Sequence, residues 1–266
     1  MPAINPDRLN VQTAELIELY SRPGKFIHRL HNLLNYYADR ARRFGQSGES
    51  PPSLPVYHVP QPVLRFLIRE MKPLLSASPS RGLLLADALW KEDWLEIKIL
   101  AGSFLGLIPA VNPGPILKRS KAWMLSSDEN QIQQTLADQG LAAIREKSPS
   151  LIITLIEDLI ETRSPGERKL SLMIMHPLIR EDKFSHLPSL FQQLDKLLQE
   201  DQGLRGDLVP VLKTIIQTSE KEAAYFLQDQ LSRAAQPQIT RIIRQCLPAF
   251  TPENREKFQA LIRQGS

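Results

Sequence analysis

One cysteine, Cys246, stands in 266 residues. That excludes an intramolecular disulfide framework and any cysteine-based zinc cluster, and the thiol is expected as a small buried side chain on a helix. Long apolar runs are missing as well: the longest, Ile99 to Val111, is too short to span a bilayer. The first residues, MPAINPDRLN, lack the basic-then-apolar order of a signal peptide, so a soluble, cytoplasmic protein with no membrane partner is expected. Glycine-rich phosphate loops, nucleophile elbows and dinucleotide fingerprints are absent, which leaves Gly24, Gly48 and Gly106 as isolated turn or packing glycines. His28, His31, His58, His176 and His186 include no HExxH and no pair at i, i+4. His28 and His31 share a helix face at i, i+3, but no third ligand of matching geometry accompanies them. Neither a metal nor another cofactor is expected.

What is present is helical. Valine, isoleucine and threonine rarely alternate with polar residues, and apolar positions recur at helical spacing. The spacing predicts helices over 11–20, 25–43, 61–76, 80–90, 93–107, 128–139, 149–162, 165–179, 186–199, 208–218, 220–233, 236–247 and 252–263. Proline punctuation sharpens several starts, because a first-turn proline has no N–H to lose. Ser164-Pro165-Gly166-Glu167 reads as a capping box with proline at the first helical position, and Thr251-Pro252-Glu253 repeats that logic. Ser148-Pro149, Asn112-Pro113 and the Ser219/Glu222 spacing complete the set, placing starts near 113, 149, 165, 220 and 252. Paired helices recur roughly every 30–40 residues, the signature of a solenoid in which each hairpin buries its face against its neighbours. The 42% hydrophobic content is enough to fill such a core.

Phe44 to Pro62 breaks the rhythm, being rich in glycine, serine and proline and too long for a simple turn. It reads either as an arm reaching a ligand or as a plain connector between an N-terminal helical hairpin, 1–43, and a repeat domain, 63–266. Charge is uneven around it. The chain carries a net +4, yet between Arg22 and Lys72 nine basic residues face three acidic ones, a local excess of +6. Such an asymmetry suits a polyanion, although basic helix faces also occur in proteins that bind none.

The stretch Leu83 to Pro109, LLLADALWKEDWLEIKILAGSFLGLIP, writes two amphipathic helices with almost nothing between them. A tryptophan closing one helix, an acidic turn, then an aromatic and a glutamate entering the next (Leu89-Trp90, Trp94, Glu96, Ala101) resembles the repeat core of the bacterial DNA alkylation repair glycosylases built from HEAT-like repeats, the alkylpurine DNA glycosylase D-like group. The resemblance runs from about Val56 to the C-terminus. Tyr57-His58-Val59-Pro60 followed by Leu64-Arg65 resembles the entry to the family's first long repeat helix. Glu167-Arg168-Lys169-Leu170 resembles a later helix start without its tryptophan, and Lys213 to Leu231 resembles the closing repeats. The resemblance implies a right-handed superhelical solenoid of HEAT-like, ARM-type repeats whose partner is double-stranded DNA.

The resemblance also implies a helix carrying a tryptophan–aspartate pair and, three residues on, a second aspartate that stabilises the sugar cation formed as the base departs. Aligned on Ile132 and Leu136, those positions hold Asn130, Gln131 and Gln134, so the active site is divergent. Losing a fixed carboxylate beside developing positive charge costs on the order of 3 kcal/mol or more of transition-state stabilisation. Asp128 and Glu129 are the weak catalytic candidates that remain, and their position at a helix start suits capping instead. Asp138 lies one turn beyond Gln134.

The expected function is therefore recognition of damaged or unusual duplex DNA through its backbone, with glycosylase activity weak or lost. Lys118, Arg119, Lys121, Arg145, Lys147, Arg168 and Lys169 are the candidate phosphate contacts, with Arg40, Arg42, Arg43 and Arg65 as a second patch. Trp123, beside the first of these, is a candidate aromatic contact, while Trp90 and Trp94 read as core fillers. Two alternatives stay open. An active glycosylase with a displaced carboxylate would release 3-methyladenine or 7-methylguanine, and a protein-interaction scaffold would bind a partner segment instead.

Overall fold

The starts marked by proline or by capping-box spacing hold to within a residue. In the computed structural model, helices begin at Gly114, Pro149, Pro165, Glu220 and Pro252. The hydroxyl caps do not form: neither Ser148 nor Ser164 accepts a hydrogen bond through its side chain. At these two starts the proline, not the hydroxyl, sets the boundary. Asn5, unmarked in the sequence reading, does cap, its side chain accepting from the Arg8 N–H at 3.1 Å.

The structure describes residues 4–40, 51–181, 187–200, 203–233 and 237–264, and every regular element among them is helical. They belong to two compact units, Met1–Lys147 and Ser148–Ser266. The predicted ends at 41–43, the starts at 186 and 236, and residues 44–50 of the connector lie outside the described residues.

Unit 1 holds α1 (Pro6–Glu18), α2 (Pro23–Tyr37), α3 (Gln61–Ala77), α4 (Pro79–Trp90), α5 (Leu95–Leu107), α6 (Gly114–Leu125), α7 (Asn130–Thr135), a π-helical turn (Leu136–Gly140) and α8 (Ala142–Lys147). Helices α6 and α8 escaped the periodicity, and the single helix expected over 128–139 is α7 followed by the π turn. Most helices pack on the next helix, the next but one, or both: α1 on α2 and α3, α2 on α4, and α3 on α4 and α5. At the centre lies α5, which also meets α4, α6, α7, α8 and the π turn. Its sequence is apolar nearly all round, and ten of its 13 residues are buried. Gly102 and Gly106, one helical turn apart, give α5 a bare side on which the π turn lies.

Unit 2 holds α9 (Pro149–Glu161), α10 (Pro165–Ile179), α11 (Leu187–Glu200), α12 (Arg205–Thr218), α13 (Glu220–Arg233), α14 (Pro237–Cys246), a 3-10 turn (Leu247–Ala249) and α15 (Pro252–Gln264). The pairing is again to the next helix and the next but one, α10 on α9 and α12, α12 on α13 and α14, and α13 on α14 and α15. Cys246 is buried as expected, and desolvation pushes its thiol up to about 12. No helix among the described residues is long and apolar enough to cross a membrane.

Glu220 ties the start of α13 to that of α15. Its Oε1 accepts from the Asn254 amide at 2.8 Å, the Thr251 hydroxyl at 2.7 Å and the Thr251 N–H at 2.9 Å. These bonds, the Asn254 one foremost, hold the carboxyl below its ordinary value. A carboxylate stabilised by folding contributes fully above the unfolded-state value and loses its contribution as the pH falls through the lowered folded-state one. Glu220→Gln should therefore unfold at lower urea than the parent at about pH 7, with the gap closing in acid. A gap that persists or widens in acid contradicts the clamp.

Candidate nucleic-acid interface

Residues 51–60 form an extended strap across unit 1, and α5 holds it. Glu96, the one acid on α5, is 4% exposed and accepts backbone N–H bonds from Tyr57 at 3.1 Å and Val59 at 3.3 Å. The Leu95 N–H donates to the Pro55 carbonyl at 3.0 Å, and the Asp39 N–H to the His58 carbonyl at 3.3 Å. Tyr57 stacks on Trp94 with ring centroids 4.0 Å apart, and its hydroxyl lies 2.6 Å from His31 Nδ1. His31 Nε2 in turn lies 3.1 Å from Glu92. Burial first, then the Glu96 and Glu92 charges, raise the Tyr57 phenol, so it stays a neutral hydrogen-bonding group. His31 is thus committed to the strap while His28 is exposed.

The far end of the strap reaches the start of α7. Ser53 donates from both its N–H and its hydroxyl to Glu129 Oε1, the latter at 2.7 Å. Glu129 occupies the N-cap position but makes no cap bond with its side chain; the Ser127 hydroxyl instead accepts from the Glu129 N–H at 3.3 Å. Asp128, Asn130 and Gln131 are exposed. Gln134 is half-buried, and its amide donates to Asp138 Oδ2 at 2.9 Å. Arg145 closes over the next turn, its guanidinium donating to the carbonyls of Ala137 at 3.1 Å and Asp138 at 2.9 Å. A π turn leaves carbonyls out of the regular ladder, and Arg145 satisfies two of them.

Several expected phosphate contacts are therefore engaged within the fold. Arg119 forms a two-pronged pair with Asp87, both contacts at 2.7 Å, and donates to the Pro115 carbonyl at 3.0 Å. The Asp87 hydrogen bond raises its already high value further. Trp123 is 7% exposed and lies flat on Trp90, with centroids 4.5 Å apart and planes 3° off parallel. Trp90 carries Lys98 on its ring, the ammonium 4.7 Å from the centroid. Lys121 is half-exposed, and Arg40 lies 3.4 Å from Asn35. Lys118, Lys147 and Arg65 are exposed, with no ion pair or hydrogen bond to described residues. All of these belong to unit 1. In unit 2, Lys169 is exposed and Arg168 is 6% exposed, its carbonyl accepting from the Ser171 hydroxyl at 2.7 Å. Arg42 and Arg43 lie outside the described residues.

No cluster of three or more histidine, cysteine, aspartate or glutamate side chains that could hold a metal ion occurs among the described residues. The strap was missed by the sequence reading, although one signal marked it: a glutamate inside an apolar helix needs buried donors, and an extended segment offers them.

No curated protein and no solved structure matches the chain. The family model described as DNA alkylation repair enzyme matches residues 32–241. That span covers most of both units, and the chain belongs to the DNA alkylation repair enzyme family.

Proposed function

We propose that this chain is a DNA-binding protein of HEAT-like helical repeats that engages damaged or unusual duplex DNA through its phosphate backbone, with base-releasing activity weak or lost. Packing of most helices on the next helix, the next but one, or both within each unit supports the repeat reading. The observation that carries the functional reading is the set Asn130, Gln131 and Gln134, neutral side chains at the positions where the resemblance expects a tryptophan and two carboxylates. A preorganised negative charge is the usual stabiliser of an oxocarbenium-like transition state, and an amide supplies only a dipole. The Gln134 amide, moreover, points its donor at Asp138. Of the two weak alternatives, Glu129 is engaged by Ser53 and Asp128 lies exposed, where water weakens its field.

Lys118, Lys147, Lys169 and Arg65 are the proposed phosphate contacts. Arg119, Arg145 and Arg168 serve the fold first, and Trp123 serves as core. A cytoplasmic site of action goes with a DNA partner.

Binding to plain, alkylated and branched duplexes across a salt series, with release of methylated purine followed in the same samples, tests this reading. The expected outcome is affinity that falls linearly on a log–log salt plot, about 0.9 in slope per phosphate contact, without base release. Release of 3-methyladenine or 7-methylguanine that is lost in the Asp128→Asn/Glu129→Gln double variant restores the enzyme. Absence of binding at low salt leaves a protein-interaction scaffold.

A further inference from the structure

Unit 1 commits many of its cations internally: Arg29 to Glu15, Lys98 to the Trp90 carbonyl, Arg119 to Asp87, and Arg145 to the π-turn carbonyls. Against that background α3 stands out. Its inward face, Val63, Leu64, Leu67, Met71 and Leu75, is buried among apolar neighbours, and its outward face presents Arg65, Arg69 and Lys72, all exposed. The i, i+4, i+7 spacing keeps the three within an arc of about 60° and spreads them over roughly 10 Å of helix axis. The one acid on α3, Glu70, makes a pair with Arg69 at 2.9 Å. With side-chain exposures of 69% and 37%, that pair sits in water and holds Arg69 only weakly. The Arg69 guanidinium also rests over the Phe66 ring, 4.8 Å from its centroid, which steadies it without neutralising it.

We infer that this stripe, Arg65–Arg69–Lys72, is the line along which unit 1 holds successive phosphates of one strand of duplex DNA. The inference rests on the DNA-binding reading and assigns it a surface centred on α3, adding Arg69 and Lys72 to Arg65. One strand presents a charge about every 3.4 Å along the duplex axis, so 10 Å of stripe spans about three phosphates. A helix face of flexible cations reads backbone, not sequence, so all duplexes are bound alike through it.

The test is fluorescence anisotropy with a plain duplex over a salt series, comparing the parent with the triple variant Arg65→Gln/Arg69→Gln/Lys72→Gln. A matched variant, Lys221→Gln/Lys257→Gln/Arg263→Gln, removes the same charge from exposed positions of unit 2. The α3 variant should lose at least about tenfold in affinity near 0.1 M salt, and its log–log slope should become shallower by about 2 to 3, while the matched variant keeps the parent slope. An α3 variant with the parent's slope and affinity overturns the inference while leaving DNA binding in place. Equal losses in both variants reduce the effect to net charge and overturn it too. A parent protein that fails to bind overturns the inference together with the DNA-binding reading.

Discussion

Gly106→Ala should cost unit 1 about 3 kcal/mol or more, or prevent it from reaching a native state. A Cβ at Gly106 would stand 1.7 Å from the Gln139 carbonyl oxygen and 2.6 Å from its carbon, with Gly140 Cα at 3.1 Å. These are backbone atoms, so no side chain can swing away, and relief requires α5 and the π turn to part. Parting them exposes the central helix, since α5 also carries the contacts to α3, α4, α6 and α7. Thermal and urea unfolding measure the effect directly. Gly24→Ala is the internal control: it meets nothing within 4 Å, and replacing a helical glycine by alanine adds roughly 0.5–1 kcal/mol. If Gly106→Ala unfolds like the parent, the close approach of α5 to Gln139 is wrong.

How much of this architecture was legible in the sequence depends on which physics set each element. Helix starts were legible where proline fixes the first turn, as at Pro149, Pro165 and Pro252, because that constraint is local and independent of packing. The buried stripes of α3 and α9 follow their apolar spacing for the same reason. The start of α6 was legible from Asn112-Pro113, but its extent was not, because its sequence, GPILKRSKAWML, mixes buried Ile116, Trp123 and Met124 with Lys118, Arg119 and Lys121. The π turn was illegible in principle. Nothing in LADQG departs from ordinary helix, and the extra residue is accommodated by two outside partners, the bare side of α5 and the Arg145 guanidinium.

The candidate site divides similarly. Charge density around α3 was visible from counting, and the fold leaves Arg65, Arg69 and Lys72 exposed. Which cations were already spoken for was not visible. Arg119 and Asp87 are 32 positions apart, and no local pattern couples them until α4 and α6 set their reach. Trp123 looked like an aromatic amid positive charge, which it is in sequence. In space its ring lies against Trp90, one helical hairpin earlier, and little of it is left for a base to stack on. Family membership covers residues 32–241, and the positions on which the proposed loss of base release rests, Asn130, Gln131 and Gln134, are single side chains on one short helix within that span.

Glu96→Ala should be the second severe change, and it should act on DNA binding by position, not by charge. The alanine leaves the Tyr57 and Val59 N–H groups facing an apolar helix without an acceptor, at about 1–3 kcal/mol for each unsatisfied group that stays buried. The strap can limit that cost only by lifting off, which separates Tyr57 from Trp94 and from His31. Glu96→Gln should fall in between, because one amide oxygen serves one N–H while its NH2 group sets a donor against the other. Amide exchange at Tyr57 and Val59 should rise in both variants, and the Tyr57 phenol should titrate lower once the Glu96 charge that helps raise it is gone. The strap runs through Val59 and Pro60 directly into the first turn of α3, so its loosening frees the start of the helix that carries Arg65. DNA affinity should then drop a few-fold with the salt slope unchanged, since every cation is still present. Removing the α3 cations should instead flatten the slope. A Glu96→Ala protein that keeps the parent's stability and slow exchange at Tyr57 would mean the strap is held by its stacking and not by the buried carboxylate.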